Sequence, residues 1–403
     1  MLGWELPPHH TGGMGVACYQ LCRSLADQGA DIEFVLPFKA DFAHTFMKIT
    51  AAQPDKPGDV LTAGGVYDNM RYNPHSAQIS PGFPSLHDQV QRFERGVSEL
   101  VKLGEYDIIH AHDWLTFRAA LSAKMITGKP LIAHIHATEY DRSAGGTGNP
   151  LVREIEYAGL MMADKVIAVS NAVKQTIVRE YNIPPQKIDV AYNSFEIDRD
   201  AELESESTYR YLAAMKDRGY RVVANAGRLT VQKGIYYFLK AAKEVVAKES
   251  KVLFLIAGGG EQLHELLALS AELGIAEHVI FTGYINGTGK AWRDAFRIAD
   301  LIVMPSVSEP FGIAPLEAIA YGTPSLVSKQ SGVSEIMNNF LKVDFWDVMK
   351  MADLICAAVR YPSLCEELLA SAKAEFETLS WKPSAQKLMK IYQKQSKPLG
   401  VAA

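Results

Sequence analysis

The sequence predicts an α/β protein with two parallel sheets, each covered by helices on both faces. Three observations carry the prediction. Short apolar runs alternate with stretches of helical length and periodicity along most of the chain. That alternation runs through twice, interrupted by a polar, acidic stretch at residues 196–219. The 403 residues also suffice for two or three domains of roughly 150 residues each.

Residues 1–4 are barely enough for a first strand, where about 5–6 residues are usual. Either that strand is very short or the natural chain begins a few residues earlier. A glycine-rich turn, Thr11-Gly12-Gly13-Met14-Gly15, then leads into a helix over 16–28. Strands follow at 32–36, 106–110, 130–135 and 165–169. The acidic stretch reads as a solvated linker ending in a short helical segment. It contains Asp198-Arg199-Asp200, the kind of triplet on which some sugar-transfer enzymes hold a divalent metal. Strands recur at 221–226, 252–257, 278–282, 301–304 and 325–327, with helices at 235–247 and 262–273 between them. The expected boundaries are an N-terminal domain at 1–195, a linker at 196–219, a second domain at 220–380 and a terminal helix and tail at 381–403.

Hydrophobic residues make up 48% and charged residues 22%, which excludes a disordered chain, a collagen-like fibre and a disulfide-stapled miniprotein. The net charge is −5, and neither half is basic. A nucleic-acid groove and a strong pull toward anionic lipid are therefore not expected, so neither nucleic acid nor a membrane is a predicted partner. The 4 cysteines include no CxxC pair. Cys18 and Cys22 are spaced to share one helix face, as buried free thiols in a reducing compartment would. With no apolar run near the ~20 residues of a membrane span and no leader pattern, the expected location is cytoplasmic.

Five segments carry candidate chemistry. In Thr11–Gly15, glycines such as Gly12 and Gly13 before a helix start let backbone N–H groups approach an anion; a plain tight turn would look the same. Gly227-Arg228-Leu229-Thr230-Val231-Gln232-Lys233-Gly234 places two cations between a strand and a helix start, suited to clamping a diphosphate. In Ser308-Glu309-Pro310-Phe311-Gly312-Ile313-Ala314-Pro315-Leu316-Glu317, two carboxylates are separated by seven residues. Each can accept two vicinal hydroxyls, as on a sugar or a ribose. Pro315 suits the first turn of a helix that Gly322 and Pro324 end, and Glu317 falls in that turn, where it would also complement the dipole. The fourth feature is a pair of His-x-His steps, His110-Ala111-His112-Asp113-Trp114 and His134-Ile135-His136. Histidines at alternate strand positions face one way and could hold a binuclear metal site. More simply, Asp113 caps the helix from Trp114 and His110 and His134 are packed core residues. Last, Ala257-Gly258-Gly259-Gly260-Glu261 is either a nucleotide loop or an ordinary strand-to-helix turn.

Together these motifs resemble the large family of retaining GT-B glycosyltransferases, family 4, that includes glycogen and starch synthases, sucrose synthases and many mannosyltransferases. The resemblance spans nearly the whole chain. The two spaced glutamates followed by Ala318-Ile319-Ala320-Tyr321-Gly322-Thr323-Pro324 are highly diagnostic. His110 to Trp114, Arg228 to Gly234 and the opening Glu5, Pro8 and Thr11 to Gly15 are similar to the glycogen/starch synthase branch. The resemblance implies two Rossmann-like doubly wound domains facing across a deep cleft, with a C-terminal helix, at 384–396 after Trp381, crossing back. It also implies the following roles. Arg228 and Lys233 bind the donor diphosphate, Glu309 contacts the donor sugar and Glu317 the ribose. Gly12 and Gly13 approach the phosphates, with Gly227 and Gly258 in the donor-side loops. His136 and Asp113 face sugar and acceptor, and the Phe311-Gly312-Ile313 backbone cradles sugar and phosphate. His136, Arg228, Lys233 and Glu309 are thus the expected catalytic set. His10 stands where the synthases carry lysine, and the chain is shorter than theirs.

The implied reaction moves a sugar, glucose by resemblance, from a UDP- or ADP-sugar donor to a carbohydrate hydroxyl, with an α-1,4-glucan as one such acceptor. Another hexose, mannose among them, or a small-molecule or lipid acceptor is the alternative. The acceptor attacks from the face the diphosphate leaves, and the leaving phosphate takes its proton. With Arg228 and Lys233 in place, no metal and no cofactor is expected. From the Rossmann pattern alone a nicotinamide-dependent oxidoreductase is a competing reading, weakened by Leu263 where the dinucleotide fingerprint has glycine. An inactive sugar-nucleotide-binding protein is a third, at odds with the intact Arg228, Lys233, Glu309 and Glu317.

Overall fold

The computed structural model describes residues 1–9, 13–39, 41–42, 46–52, 86–196, 207–285 and 289–396. Its contacts divide the chain into two compact units, Met1–Asn193 with Trp381–Ala403, and Ser194–Ser380.

The first unit opens with α1 (Gly13–Ala26), which starts three residues earlier than the sequence suggests. Ala17, Cys18, Leu21, Cys22 and Leu25 form its buried face at helical spacing, so the two thiols do share it. There follow β1 (Glu33–Leu36), β2 (Lys48–Ala51), α2 (Leu86–Leu100), β3 (Ile109–His112), α3 (Trp114–Thr127), β4 (Leu131–Ile135), α4 (Glu139–Arg142), α5 (Pro150–Met162), β5 (Lys165–Ala168), α6 (Asn171–Tyr181) and β6 (Ile188–Val190). β3 to β6 pair in sequence order, all parallel, and β1 pairs with β2. In place of a first strand there is an isolated bridge position. Leu2 alone bridges β1 and β3: its N–H donates to His110 O at 2.8 Å and its carbonyl accepts from His112 N at 3.0 Å. Gly3 is needed there, because a Cβ would lie 2.2 Å from the Phe34 ring. β3 lies later than 106–110, since Tyr106 leaves the ladder and donates its hydroxyl to Glu33 Oε2 at 2.7 Å. β2 and β6, not foreseen, are short segments whose edge positions weaken the apolar signal.

The second unit contains α7 (Arg210–Asp217), β7 (Arg221–Ala226), α8 (Ile235–Val246), β8 (Val252–Ala257), α9 (Leu263–Glu272), β9 (Val279–Phe281), α10 (Lys290–Ile298), β10 (Leu301–Met304), α11 (Ala314–Ala320), β11 (Ser325–Ser328), β12 (Leu341–Val343), α12 (Val348–Arg360) and α13 (Pro362–Thr378). α7 is the short helical segment expected at the end of the acidic stretch, but it is not solvated linker. Its Leu212 is buried in this unit's core, and Thr208 N donates to Asp294 Oδ2 at 2.7 Å, so this part of the stretch is folded structure. The Asp198-Arg199-Asp200 triplet lies outside the described residues. The sheet is parallel in the order β12-β11-β10-β7-β8-β9. Alternation along β7 sends Val223 toward α8 and α12 on one face and Val222 and Ala224 toward α7 and α10 on the other. The strand order reverses between β7 and β10, and ligands of such sheets bind outside the carboxyl ends of the strands at that reversal.

The chain then returns to the first unit with α14 (Lys382–Gln395). Trp381, 2% exposed, donates its indole N–H to Gln20 Oε1 on α1 at 2.7 Å, and the Ser384 hydroxyl donates to Tyr192 O at 2.7 Å. Among the described residues no helix is long and apolar enough to cross a membrane.

Candidate active site

At the reversal point of the second unit's sheet, β7 leads into Gly227. Its N–H donates to Ala257 O at 3.0 Å, and Leu229 N donates to Gly259 O at 2.9 Å. The two glycine loops therefore lie against each other. A Cβ on Gly258 would sit 2.0 Å from Gly227 O, and one on Gly260 2.4 Å from Leu229 O. These glycines permit that backbone contact, which a strand-to-helix turn requires, whereas a Cβ on Gly227 would meet nothing within 4 Å. Arg228 is half-buried in this loop. Gly234, at φ +68°, ends the turn Val231–Lys233 and starts α8.

β10 delivers the second part. Glu309 is pinned by its backbone: Glu309 N donates to Gln330 O at 3.0 Å, and Gly332 N to Glu309 O at 2.9 Å. Its buried carboxylate takes Lys233 Nζ at 2.6 Å and the Ser306 hydroxyl at 2.9 Å, both on Oε2. The structure thus brings Lys233 and Glu309 together from loops 76 residues apart. Buried Phe311 accepts at its carbonyl from Val333 N at 2.7 Å. Gly312, at φ +92°, could carry no Cβ without meeting Met304 and Glu309 at about 3 Å. Ile313 accepts from Glu317 N at 3.1 Å at the start of α11, and Pro315 sits in its first turn as expected.

Glu317 accepts the Trp292 indole N–H at Oε1, 3.0 Å away. Burial pushes its carboxyl up to about 7, against the Trp292 bond that favours the charged form. Only the ionised carboxylate is acceptor-only and able to take two hydroxyls at once. If Glu317 holds a ribose, KM for the donor should fall as pH rises through about 7, and Glu317→Gln should flatten that dependence. A wild-type KM independent of pH from 6 to 8 would remove Glu317 from that role. Trp292 and Ser306 carry no motif, and no spacing in the sequence marks them.

The first unit holds Gly13, Asp113 and His136; Gly12 lies outside the described residues. Gly13 opens α1, but the Gly15 N–H there is taken by the buried carboxylate of Glu5 at 3.2 Å. Asp113 does not cap α3. It sits at φ +58°, makes no side-chain bond to that helix, and accepts instead from His136 N at 2.6 Å and Ala137 N at 3.4 Å. The left-handed backbone turns its carboxylate across to the end of β4. Burial raises the Asp113 carboxyl to about 7 against nearby Arg142 and the His136 N–H. Burial lowers His136 to about 4, so its imidazole is neutral at pH 7. His136 Nε2 faces His112 Nδ1 at 3.0 Å, and its Nδ1 is buried without a partner among the described residues. His110 and His134 are buried as expected; both ring nitrogens of His110 have partners, whereas His134 Nε2 has none among the described residues.

The profile of the Glycosyltransferase Family 4 matches residues 11–199, and that of the Glycosyl transferases group 1 matches residues 214–374. An uncharacterised glycosyltransferase of Methanocaldococcus jannaschii is 30% identical, covering 97% of both chains. A D-inositol 3-phosphate glycosyltransferase of Rhodococcus jostii is 28% identical over 95% of this chain and 84% of its own. Among solved structures, the catalytic domain of starch synthase IV from Arabidopsis thaliana, bound to ADP and acarbose, superposes with a TM-score of 0.72 at 17% identity, covering 98% of both chains.

Proposed function

This chain belongs to the family-4 glycosyltransferases and has their GT-B fold, and from that premise we propose that it transfers glucose from UDP- or ADP-glucose to a soluble hydroxyl acceptor with retention. The observation that carries the donor reading is the Lys233–Glu309 pair at the reversal point of the sheet, beside the Arg228 loop. In this reading Lys233 and Arg228 meet the diphosphate, whose negative charge grows as the glycosidic bond breaks, and their fixed placement supplies most of the rate. Glu309, held from three sides, orients the sugar while steadying Lys233. Glu317 holds the ribose, and the Phe311-Gly312-Ile313 backbone runs beside sugar and phosphate. His136 and Asp113 serve the sugar and acceptor. Attack from the departing face lets the leaving phosphate accept the acceptor's proton. The nicotinamide reading has no support from the family to which the chain belongs.

A panel of UDP-, ADP- and GDP-sugars scored by thermal shift tests the donor, because a cognate ligand stabilises by about 2.7 kcal/mol at a hundred times its Kd. UDP- or ADP-glucose is expected to give the largest shift, and a preference for GDP-mannose would overturn the choice of sugar. The Rhodococcus relative's name motivates a second acceptor reading, a phosphorylated polyol, beside a short α-glucan. Transfer to inositol 3-phosphate but not to malto-oligosaccharides would decide for it. Turnover should survive EDTA with neither Mg²⁺ nor Mn²⁺ added, since two cationic side chains stand where such an ion would act. Loss of turnover restored by Mn²⁺ would place a metal on the diphosphate.

A further inference from the structure

The sheet of the first unit gathers four imidazoles on one face. β3 supplies His110 and His112, β4 supplies His134 and the chain just beyond it His136, and the parallel register sets His112 opposite His134. The rings of His110 and His112 lie 4.6 Å apart, those of His112 and His134 5.1 Å, and those of His110 and His134 5.3 Å. One ring nitrogen from each of these three lies within 4.8 Å of the others, and none of the three residues is more than 1% exposed.

Proton counting shows that these rings are not finished as a hydrogen-bonded core. A neutral imidazole has one N–H and one lone pair. His110 Nε2 meets His134 Nδ1 at 3.1 Å, His112 Nδ1 meets His136 Nε2 at 3.0 Å, and His110 Nδ1 meets the Tyr392 hydroxyl. His112 Nε2, His134 Nε2 and His136 Nδ1 have no partner among the described residues. When His112 Nδ1–H donates to His136 and His134 Nδ1–H donates to His110, the buried Nε2 lone pairs of His112 and His134 are left unused, and an unmade buried bond costs about 1–3 kcal/mol.

We propose that His110, His112 and His134 bind one late divalent transition-metal ion of the zinc class. The partnerless Nε2 atoms of His112 and His134 are lone-pair donors for it, and His110 completes a three-imidazole set of the type zinc accepts. Burial, reinforced by the neighbouring rings, holds all three pKa values well below the ordinary histidine range, so the ligating neutral form is the one present. With Nε2 of His112 on the ion, its Nδ1–H donates to His136 Nε2 and fixes the His136 proton on Nδ1. His110, ligating through Nε2, gives up its 3.1 Å contact with His134 Nδ1 and keeps Nδ1–H for the Tyr392 oxygen, the outer contact that orients a metal-bound imidazole. This ion belongs to the first unit, whereas the diphosphate clamp belongs to the second, and it is compatible with turnover that needs no Mg²⁺ or Mn²⁺.

Because the site is buried, the full chain is unfolded in chelator, refolded with Co²⁺ or Zn²⁺, dialysed, and its metal content measured. The wild type is expected to retain about one equivalent and to show the intense visible bands of low-coordinate cobalt. His134→Gln and His110→Gln should each weaken retention at least 10–100-fold, while the surface variant His87→Gln retains metal as the wild type does. A wild type that keeps no metal overturns the site by itself, whatever the variants do. Equal retention in all variants means adventitious binding and also overturns it. A thiolate-to-cobalt charge-transfer band lost in Cys18→Ser overturns the ligand set in favour of Cys18, His112 and His136, the neighbouring group with Cys18 Sγ at 3.9 Å from His136 Nε2.

Discussion

Replacing Lys233 by alanine is expected to lower turnover about 10²–10³-fold at saturating donor, the scale seen when one preorganised charge-stabilising group is removed. The interaction strengthens as the diphosphate departs, so the loss belongs in kcat more than in KM. Arg228→Ala should behave alike. Lys233→Ala carries a cost in stability as well. Lys233→Ala leaves the Glu309 carboxylate, only 8% exposed, without its counter-charge. Truncating one member of a buried pair is costly because the other is left uncompensated. The double variant Lys233→Ala/Glu309→Gln should therefore regain stability in urea unfolding while its turnover stays low. Glu317→Ala should act mainly on KM, since the ribose does not change during transfer, and Glu309→Ala should fall between. Abolished turnover in Glu317→Ala together with an unaffected Lys233→Ala would reverse these roles.

Gly234→Ala is expected to cost about 2–4 kcal/mol of stability, through two mechanisms acting at one atom. The residue has φ +68°, a region that alanine enters reluctantly, and the added Cβ would lie 2.1 Å from the Pro305 carbonyl oxygen. That carbonyl is backbone and cannot rotate away. Relief requires the loop after β10 to part from the turn before α8, breaking the Val307 N to Gln232 O bond of 2.9 Å and separating Lys233 from Glu309. Gly227→Ala is the natural control, because its Cβ would meet no atom of the described residues within 4 Å. It should fold with stability changed by less than about 0.5 kcal/mol. Its donor KM should rise if a ligand uses that open space. Equal urea midpoints for the two variants would contradict the steric account.

Much of this site was legible because its pieces are local. Arg228, Lys233 and Glu309 each sit between a strand and a helix whose signals are strong, Glu317 sits in the first turn of α11, and β7, β8 and β10 span the residues that the apolar runs mark. What could not be read is pairing at a distance. Nothing in the spacing says that Lys233 reaches Glu309 or that Trp292 binds Glu317. Asp113 before a helical run reads as an N-cap, and only the positive φ, with a partner 23 residues on, turns its carboxylate elsewhere. The histidine steps show a shared face, yet their assembly depends on the register that sets β3 against β4. Leu2 is the opposite case: too little sequence for a strand, and a strand position because neighbours on both sides supply the bonds.

The return of α14 to the first unit has a consequence for how the protein is made. The second unit is an insertion within the first, which lacks Trp381 and its covering helix until the whole of the second unit has been made. At about 5–20 residues per second the ribosome delivers all of residues 194–380 before that helix emerges. The later segment can thus be the first to reach its native state, while the earlier one waits with the sulfur- and imidazole-rich face between α1 and β3 uncovered. Nascent chains with residue 380 but not α14 outside the ribosome should show protease resistance in the second unit and sensitivity in the first. Resistance in the first unit should appear only once α14 has left the exit tunnel.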